Sequence, residues 1–215
     1  MALVNYSDLK TSIADWLNRS DLTSVIPDFI SLAEASFNKE IRNRKMIKRA
    51  TATIDSQYSA VPADWLQTVD FVVEANPVVT LEFITTEQLD KLRKTFTTSG
   101  TPKFYTIVGQ ELEVLPVPDS ATLTGEITYY SKIPNLTNAN PTNWLMNSSP
   151  DIYLYASLLQ SAPYLVDDAR IPVWASLYQK LVIYIIILVK RKNFRRNALI
   201  IRPVGQMIFV FVTGW

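Results

Sequence analysis

Chemistry in a 215-residue chain has to come from its titratable and nucleophilic side chains, and here the supply is narrow. There is no Cys and no His, which excludes thiol redox chemistry, a disulfide framework, Cys-based zinc sites and imidazole general-base catalysis. Two acidic pairs have a spacing that chemistry can use: Asp167 with Asp168, and Glu111 with Glu113. The first pair stands where a helix cap belongs. The second alternates along a strand beside a hairpin, where a solvated face is the ordinary explanation. Neither is read as a metal or acid–base pair. The five glycines, Gly100, Gly109, Gly125, Gly205 and Gly214, form neither G-x-G-x-x-G nor G-x-x-x-x-G-K, which argues against nucleotide hydrolysis. Serine lacks a histidine partner, and no S-x-x-K stands at a helix start with supporting motifs. The expectation is a protein that is no enzyme, takes no cofactor or metal, and works by contact.

Charge says where that contact falls. The net charge of +1 hides a division: residues 1–168 hold 13 basic and all 20 acidic side chains, while residues 169–215 hold 8 basic and none acidic. Six of the eight are Lys190, Arg191, Lys192, Arg195, Arg196 and Arg202, followed by Pro203. A basic tail on an acidic body seeks an acidic partner, be it a protein surface, a nucleic acid or an anionic lipid headgroup. A second basic cluster, Lys39, Arg42, Arg44, Lys45, Lys48 and Arg49, ends the second helix. Cations there gain about 0.3 to 1 kcal/mol each from the helix dipole, so capping is the simplest reading. A partner or DNA contact by Arg42, Arg44, Lys45, Lys48 and Arg49 is the competing one.

The elements that must carry these residues follow from periodicity. Leu9, Ile13, Trp16 and Leu17 recur at helical spacing, with Asn5 or Ser7 as cap. A second helix has Pro27 in its first turn and a stripe of Ile26, Ile30, Ala33, Phe37 and Ile41. From about residue 48 the period becomes two. Six strands are expected, over residues 50–54, 66–74, 78–84, 104–108, 111–115 and 123–131. Val108-Gly109-Gln110 marks a tight hairpin, and Thr85-Thr86-Glu87-Gln88 a capping box opening a short helix. Residues 134–149 read as a polar linker anchored by Trp144 and Leu145. A helix starts at Pro150 and ends or kinks at Pro163, and the last helix starts at Asp167 or Asp168 with Pro172 in its first turn. Its expected stripe is Val173, Trp174, Leu177, Leu181, Ile185 and Leu188. The fold class is α+β: an antiparallel helical bundle built from both chain ends (1–47 and 136–204), with an inserted β-rich domain (48–135) and a basic and apolar C-terminal arm (190–215).

Two apolar runs need cover. Residues 181–189 are nine apolar residues in a row, short of the roughly 20 that span a bilayer, and are expected to be buried by neighbouring helices or subunits. Residues 207–212, Met-Ile-Phe-Val-Phe-Val, have strong β character and should add a strand to something or lie against a partner. Residues 1–25 carry Asp8, Asp15 and Asp21 and no continuous apolar stretch, so no signal peptide and a cytoplasmic synthesis are expected. A peripheral membrane protein using the basic and apolar C-terminus is the alternative functional class.

Five stretches carry a resemblance: NYSDLKTSIADWLNRSDL, IPDFISLAEASFNKEIR, VPADWLQ, PKFYTIVGQELEVLPVP and the block ITYYSKIPNLTNANPTNWLMNSSPDIYLYASLLQSAPYLVDDARIPVWASLYQKLV. Over roughly residues 4–182 the chain resembles the head-to-tail adaptor (connector) proteins of tailed bacteriophages, and NALIIRPV at 197–204 resembles that family's terminal tail. The resemblance implies a non-enzymatic virion protein of the neck or tail region, made in the host cytoplasm. It implies a ring of this chain, with twelve copies, below the portal protein, extending the channel through which double-stranded DNA passes without sequence-specific binding. A downstream tail or nozzle protein would attach below. The arm residues Lys190, Arg191, Lys192, Arg195, Arg196, Arg202 and Pro203 are then the candidates for portal binding. The departure from the family is at IYIIILV, where its members are polar and amphipathic.

Overall fold

The computed structural model describes residues 3–119, 123–165 and 168–197, with side chains placed as far as Ile186. It is an α+β chain with six α-helices and two four-stranded sheets among those residues.

Helix α1 (Tyr6–Leu17) begins where the Asn5 side chain accepts from the Asp8 backbone N–H at 2.9 Å, and ends at Asn18, whose φ of 53° is left-handed. Helix α2 (Ile26–Glu40) starts with Pro27, where the missing N–H leaves no hydrogen bond unmade. Leu9, Ile13 and Leu17 of α1 and Ile26, Phe29, Ile30, Ala33 and Phe37 of α2 are all buried. They share one hydrophobic core with residues more than a hundred positions later: Ile152, Tyr153, Leu154 and Leu158 of α5 (Pro150–Gln160), and Trp174, Val182 and Ile185 of α6 (Ile171–Asn197). Phe37 meets Tyr153 edge-on at 5.0 Å, and the Tyr178 hydroxyl donates to Glu40 Oε2 at 2.8 Å. Trp16, expected inside, is 44% exposed at the rim against Tyr155.

Between α2 and α5 the chain forms the sheets. The strands β1 (Ile47–Thr53), β3 (Trp65–Glu74), β4 (Val79–Thr80) and β8 (Thr124–Ser131) make one sheet in the order β1-β8-β3-β4. The strands β2 (Tyr58–Ala60), β5 (Glu82–Phe83), β6 (Phe104–Val108) and β7 (Glu111–Leu115) make the other, in the order β2-β7-β6-β5. Phe71, Val73, Ile127 and Tyr129 of the first sheet pack with Tyr105, Leu112 and Val114 of the second in one apolar cluster, and the Phe71 and Tyr105 rings lie 5.4 Å apart. Helix α3 (Thr86–Arg93) covers the other face of the second sheet through Leu89, Ile84 and Leu115, and its Thr85 and Gln88 form the expected capping box. The hairpin between β6 and β7 turns at Gly109, whose φ of 65° suits glycine.

The strand count corrects the expectation of six. The segment 78–84 is two short strands, because Leu81 N donates to Phe71 O in one sheet while Glu82 N donates to Lys103 O beside the other. Tyr58–Ala60 is an additional strand, and β1 starts three residues before the expected Ala50. The linker also contains a helix, α4 (Trp144–Ser148), capped by Asn143.

The chain enters and leaves the sheets at one place. Ile47 of β1 is paired with Tyr130 of β8, Ser131 Oγ donates to Met46 O at 2.9 Å, and Ile133 N donates to Asn38 Oδ1 at 2.9 Å. Met46 and Ile133 are buried in the helical core on either side of that crossing.

Candidate functional site

The basic cluster after α2 is mostly engaged within the chain. Arg42 donates through Nη1 to the Asn38 and Ile41 carbonyls, both at 2.8 Å, which is the C-terminal capping that the dipole argument expects. Lys45 lies 5.5 Å from the Trp144 ring centre and donates to Ser148 Oγ at 3.3 Å, tying the end of α2 to α4. Lys48 pairs with Asp64 at 2.7 Å and Arg49 with Glu126 at 3.4 Å. Although burial works the other way, Lys48 and the Tyr129 hydroxyl hold the Asp64 carboxyl below its ordinary range. Arg44 is exposed. The structure thus gives these cations partners within the chain: Arg42 caps the end of α2, Lys45 reaches α4, Lys48 holds the loop before β3, and Arg49 pairs across β1 and β8.

One acidic pair matches its expected role where it is described, and the other does not. Asp168 accepts from the Arg170 backbone N–H at 2.9 Å ahead of α6, as a cap does, while Asp167 lies outside the described residues. Glu111 is exposed, but Glu113 is buried, against the expectation of a solvated face. The cause is α3: its Arg93 reaches over the sheet to Glu113, and Gln57 donates to the same carboxylate oxygen at 2.7 Å. Among the described residues no group of three or more Asp or Glu is placed to hold a metal ion.

The least expected group is Glu34. Its carboxylate is buried in the helical core, accepting from Leu136 N at 2.7 Å and from the Tyr153 hydroxyl at 3.4 Å. Burial pushes it up to about 7, against the opposing pull of those two hydrogen bonds. Tyr153 in turn accepts from Asn143 Nδ2 at 2.6 Å, and Asn143 Nδ2 also donates to Pro134 O at 2.7 Å. This buried network pins the polar linker to α2 and α5. The signal for it stood in the sequence, since Ile30, Glu34, Phe37 and Ile41 share one helical spacing and put an acid on the apolar stripe.

Helix α6 is anchored at its start and open along one side. Arg170 pairs with Asp168, donates to Trp16 O at 2.8 Å and lies over the Trp174 ring at 5.1 Å, fixing the first turn to the end of α1. Of the run 181–189, the side chains described, 181–186, are only partly covered by the chain itself: Val182 and Ile185 are buried, while Ile183 is 55% and Tyr184 60% exposed. Val173, expected in the buried stripe, is exposed on the same side. Within one chain the other helices reach only one face of α6, which leaves the expected cover of the other face to neighbouring subunits. Nineteen residues of helix follow Tyr178, about 28 Å at 1.5 Å per residue. Lys190, Arg191, Lys192, Arg195 and Arg196 lie on that extension, and Arg202, Pro203 and the apolar run 207–212 lie outside the described residues. No helix among the described residues is long and apolar enough to cross a membrane.

Comparison with known proteins returns one family. The sequence model of the SU10 adaptor protein family matches residues 4–200, nearly the whole chain and all of α6. No curated protein matches.

Proposed function

The chain belongs to the SU10 adaptor protein family, and on that premise we propose that this phage adaptor is a structural subunit of the virion neck, forming a ring below the portal. The family match over residues 4–200 carries this reading, because it runs through both sets of helices, the sheets and most of the basic stretch. Twelve copies is the number the likeness to connector proteins implies. In this reading the ring extends the DNA channel and gives the next tail or nozzle protein its platform.

The physical properties of the chain fit such a part. In this reading residues 1–47 and 136–204 are the helical body, an antiparallel bundle closed by sequence-distant partners, supported by the core that α1 and α2 share with α5 and α6. Residues 48–135 are an insert whose two ends meet at the Ile47–Tyr130 pair. The acidic excess of residues 1–168 makes the body a poor phosphate binder, so double-stranded DNA passes without being held. The exposed side of α6, with Val173, Ile183 and Tyr184, is the kind of apolar surface that a neighbouring subunit covers. The basic part of the arm, residues 190–203, docks on an acidic face of the portal through Lys190, Arg191, Lys192, Arg195, Arg196, Arg202 and Pro203.

Truncation after Val189 tests the arm. The shortened protein should keep its cooperative melt, since every buried core residue named above precedes the cut, and should lose portal binding in a pull-down. Undiminished portal binding would overturn the assignment.

A further inference from the structure

Sheet edges in natural proteins are short, charged, covered or bent, because an open row of backbone N–H and C=O groups recruits another strand. Three of the four edges here follow that rule by length. The strands β4 and β5 have two residues each and β2 has three. The strand β1 does not: it has seven residues, lies at the end of its sheet beside β8, and is exposed on both faces except at Ala50. Its two charges do not guard the edge, since Lys48 is paired with Asp64 and Arg49 with Glu126 of its own sheet. Beyond them the strand reads Ala50-Thr51-Ala52-Thr53, small and uncharged, with no proline.

Next to this edge the two sheets leave a half-open apolar pocket of about 80 Å³. Ala50 and Ala52 of β1 line it together with Ala60 of β2 and with Ile54, Phe71 and Leu112. Gly125 belongs to the lining as well, and a Cβ there would collide with the Ile54 side chain. An extended segment added to β1 would therefore gain backbone hydrogen bonds along the edge and a pocket for an apolar side chain.

We propose that β1 is the acceptor for residues 207–212 of a neighbouring copy of this chain, which add as a strand and set an aromatic or branched side chain into the pocket. Three observations select this occupant. The segment Met-Ile-Phe-Val-Phe-Val is uncharged, rich in β-formers and six residues long against seven in β1. It follows α6, and the nine residues 198–206 between helix and segment reach about 30 Å when extended. It also lies beyond residue 200, where the family match ends, so this contact is a feature of this chain beyond what the family supplies. Placing donor and acceptor on different copies rests on the ring reading, since a head-to-tail contact of this kind closes on itself in a ring.

The chain has no cysteine, so cross-linking reads the contact directly. Full-length Thr51→Cys and full-length Val210→Cys, carrying different affinity tags, are mixed and oxidised. The expected product is a disulfide-linked dimer holding one chain of each kind. It should be lost when Ala52→Arg is added to the acceptor, and absent when Thr80→Cys on β4 replaces Thr51→Cys; matching thermal melts confirm that the variants fold. As a second reading, deleting residues 207–215 should accelerate amide exchange at residues 50–53 in the assembled protein. The proposal is overturned by absence of the mixed dimer, by equal cross-linking from Thr80→Cys, by an intramolecular bridge in a chain carrying both Thr51→Cys and Val210→Cys, or by unchanged exchange. Rings seen by electron microscopy without the mixed dimer would defeat the strand assignment and leave the adaptor reading standing.

Discussion

Glu34 decides how the molecule responds to pH. Below about pH 4.5 its carboxyl is protonated in both the folded and the unfolded chain. As pH rises from there to about 7 the unfolded chain ionises first, so the folded state loses stability through that window and the loss is complete above it. The full difference is at most about 3 kcal/mol, on a scale of about 1.4 kcal/mol per unit. Glu34→Gln keeps an acceptor for Leu136 N and cannot ionise. It should flatten the dependence between pH 4.5 and 7 and make the protein more stable than the parent at pH 8, read from urea melts at pH 5 and pH 8. An unaltered slope would show that the carboxyl is not the titrating group. The same scale explains why two acids were misjudged or overlooked in the sequence. Glu34 meets Leu136 across 102 positions and Glu113 meets Gln57 across 56, and no local spacing announces a partner so distant.

At the scale of elements, what was legible had local causes. The Asn5 cap, the Pro27 start, the Thr85–Gln88 capping box and the Gly109 turn each depend on residues within one turn of each other, and each was found where expected. The strand Tyr58–Ala60 is too short to show a period, and the crossing at Leu81 from one sheet to the other leaves alternation unbroken while changing the partner. Helix α4 was missed because Asn143 was read as linker polarity, whereas its side chain accepts from Leu145 N and Met146 N and so starts the helix. Asn143→Ala removes that cap and leaves Pro134 O and the Tyr153 hydroxyl without a buried donor. The expected cost is about 2 to 3 kcal/mol, measured by denaturant melts. A cost under about 0.5 kcal/mol, the level of an ordinary surface change, would mean that the linker is not fastened there.

For the whole molecule, charge and shape divide the chain in the same way. The acidic excess resides in residues 1–168 and the basic excess in the last stretch, and α6 joins them, rooted at Arg170 and running on past Tyr178. Its outward apolar side and its length make sense as parts of an assembly, where neighbours cover what one subunit leaves open. The α+β class was legible because periodicity acts over whole segments, whereas the partner class came from the extended likeness to adaptor proteins. The docking residues belong to contacts with other molecules, which a single chain does not contain. The most direct test of the adaptor reading is negative-stain electron microscopy of the purified full-length chain, alone and mixed with its portal. The account predicts discrete annuli seated on the portal in the mixture, and monomers persisting in both samples would contradict it.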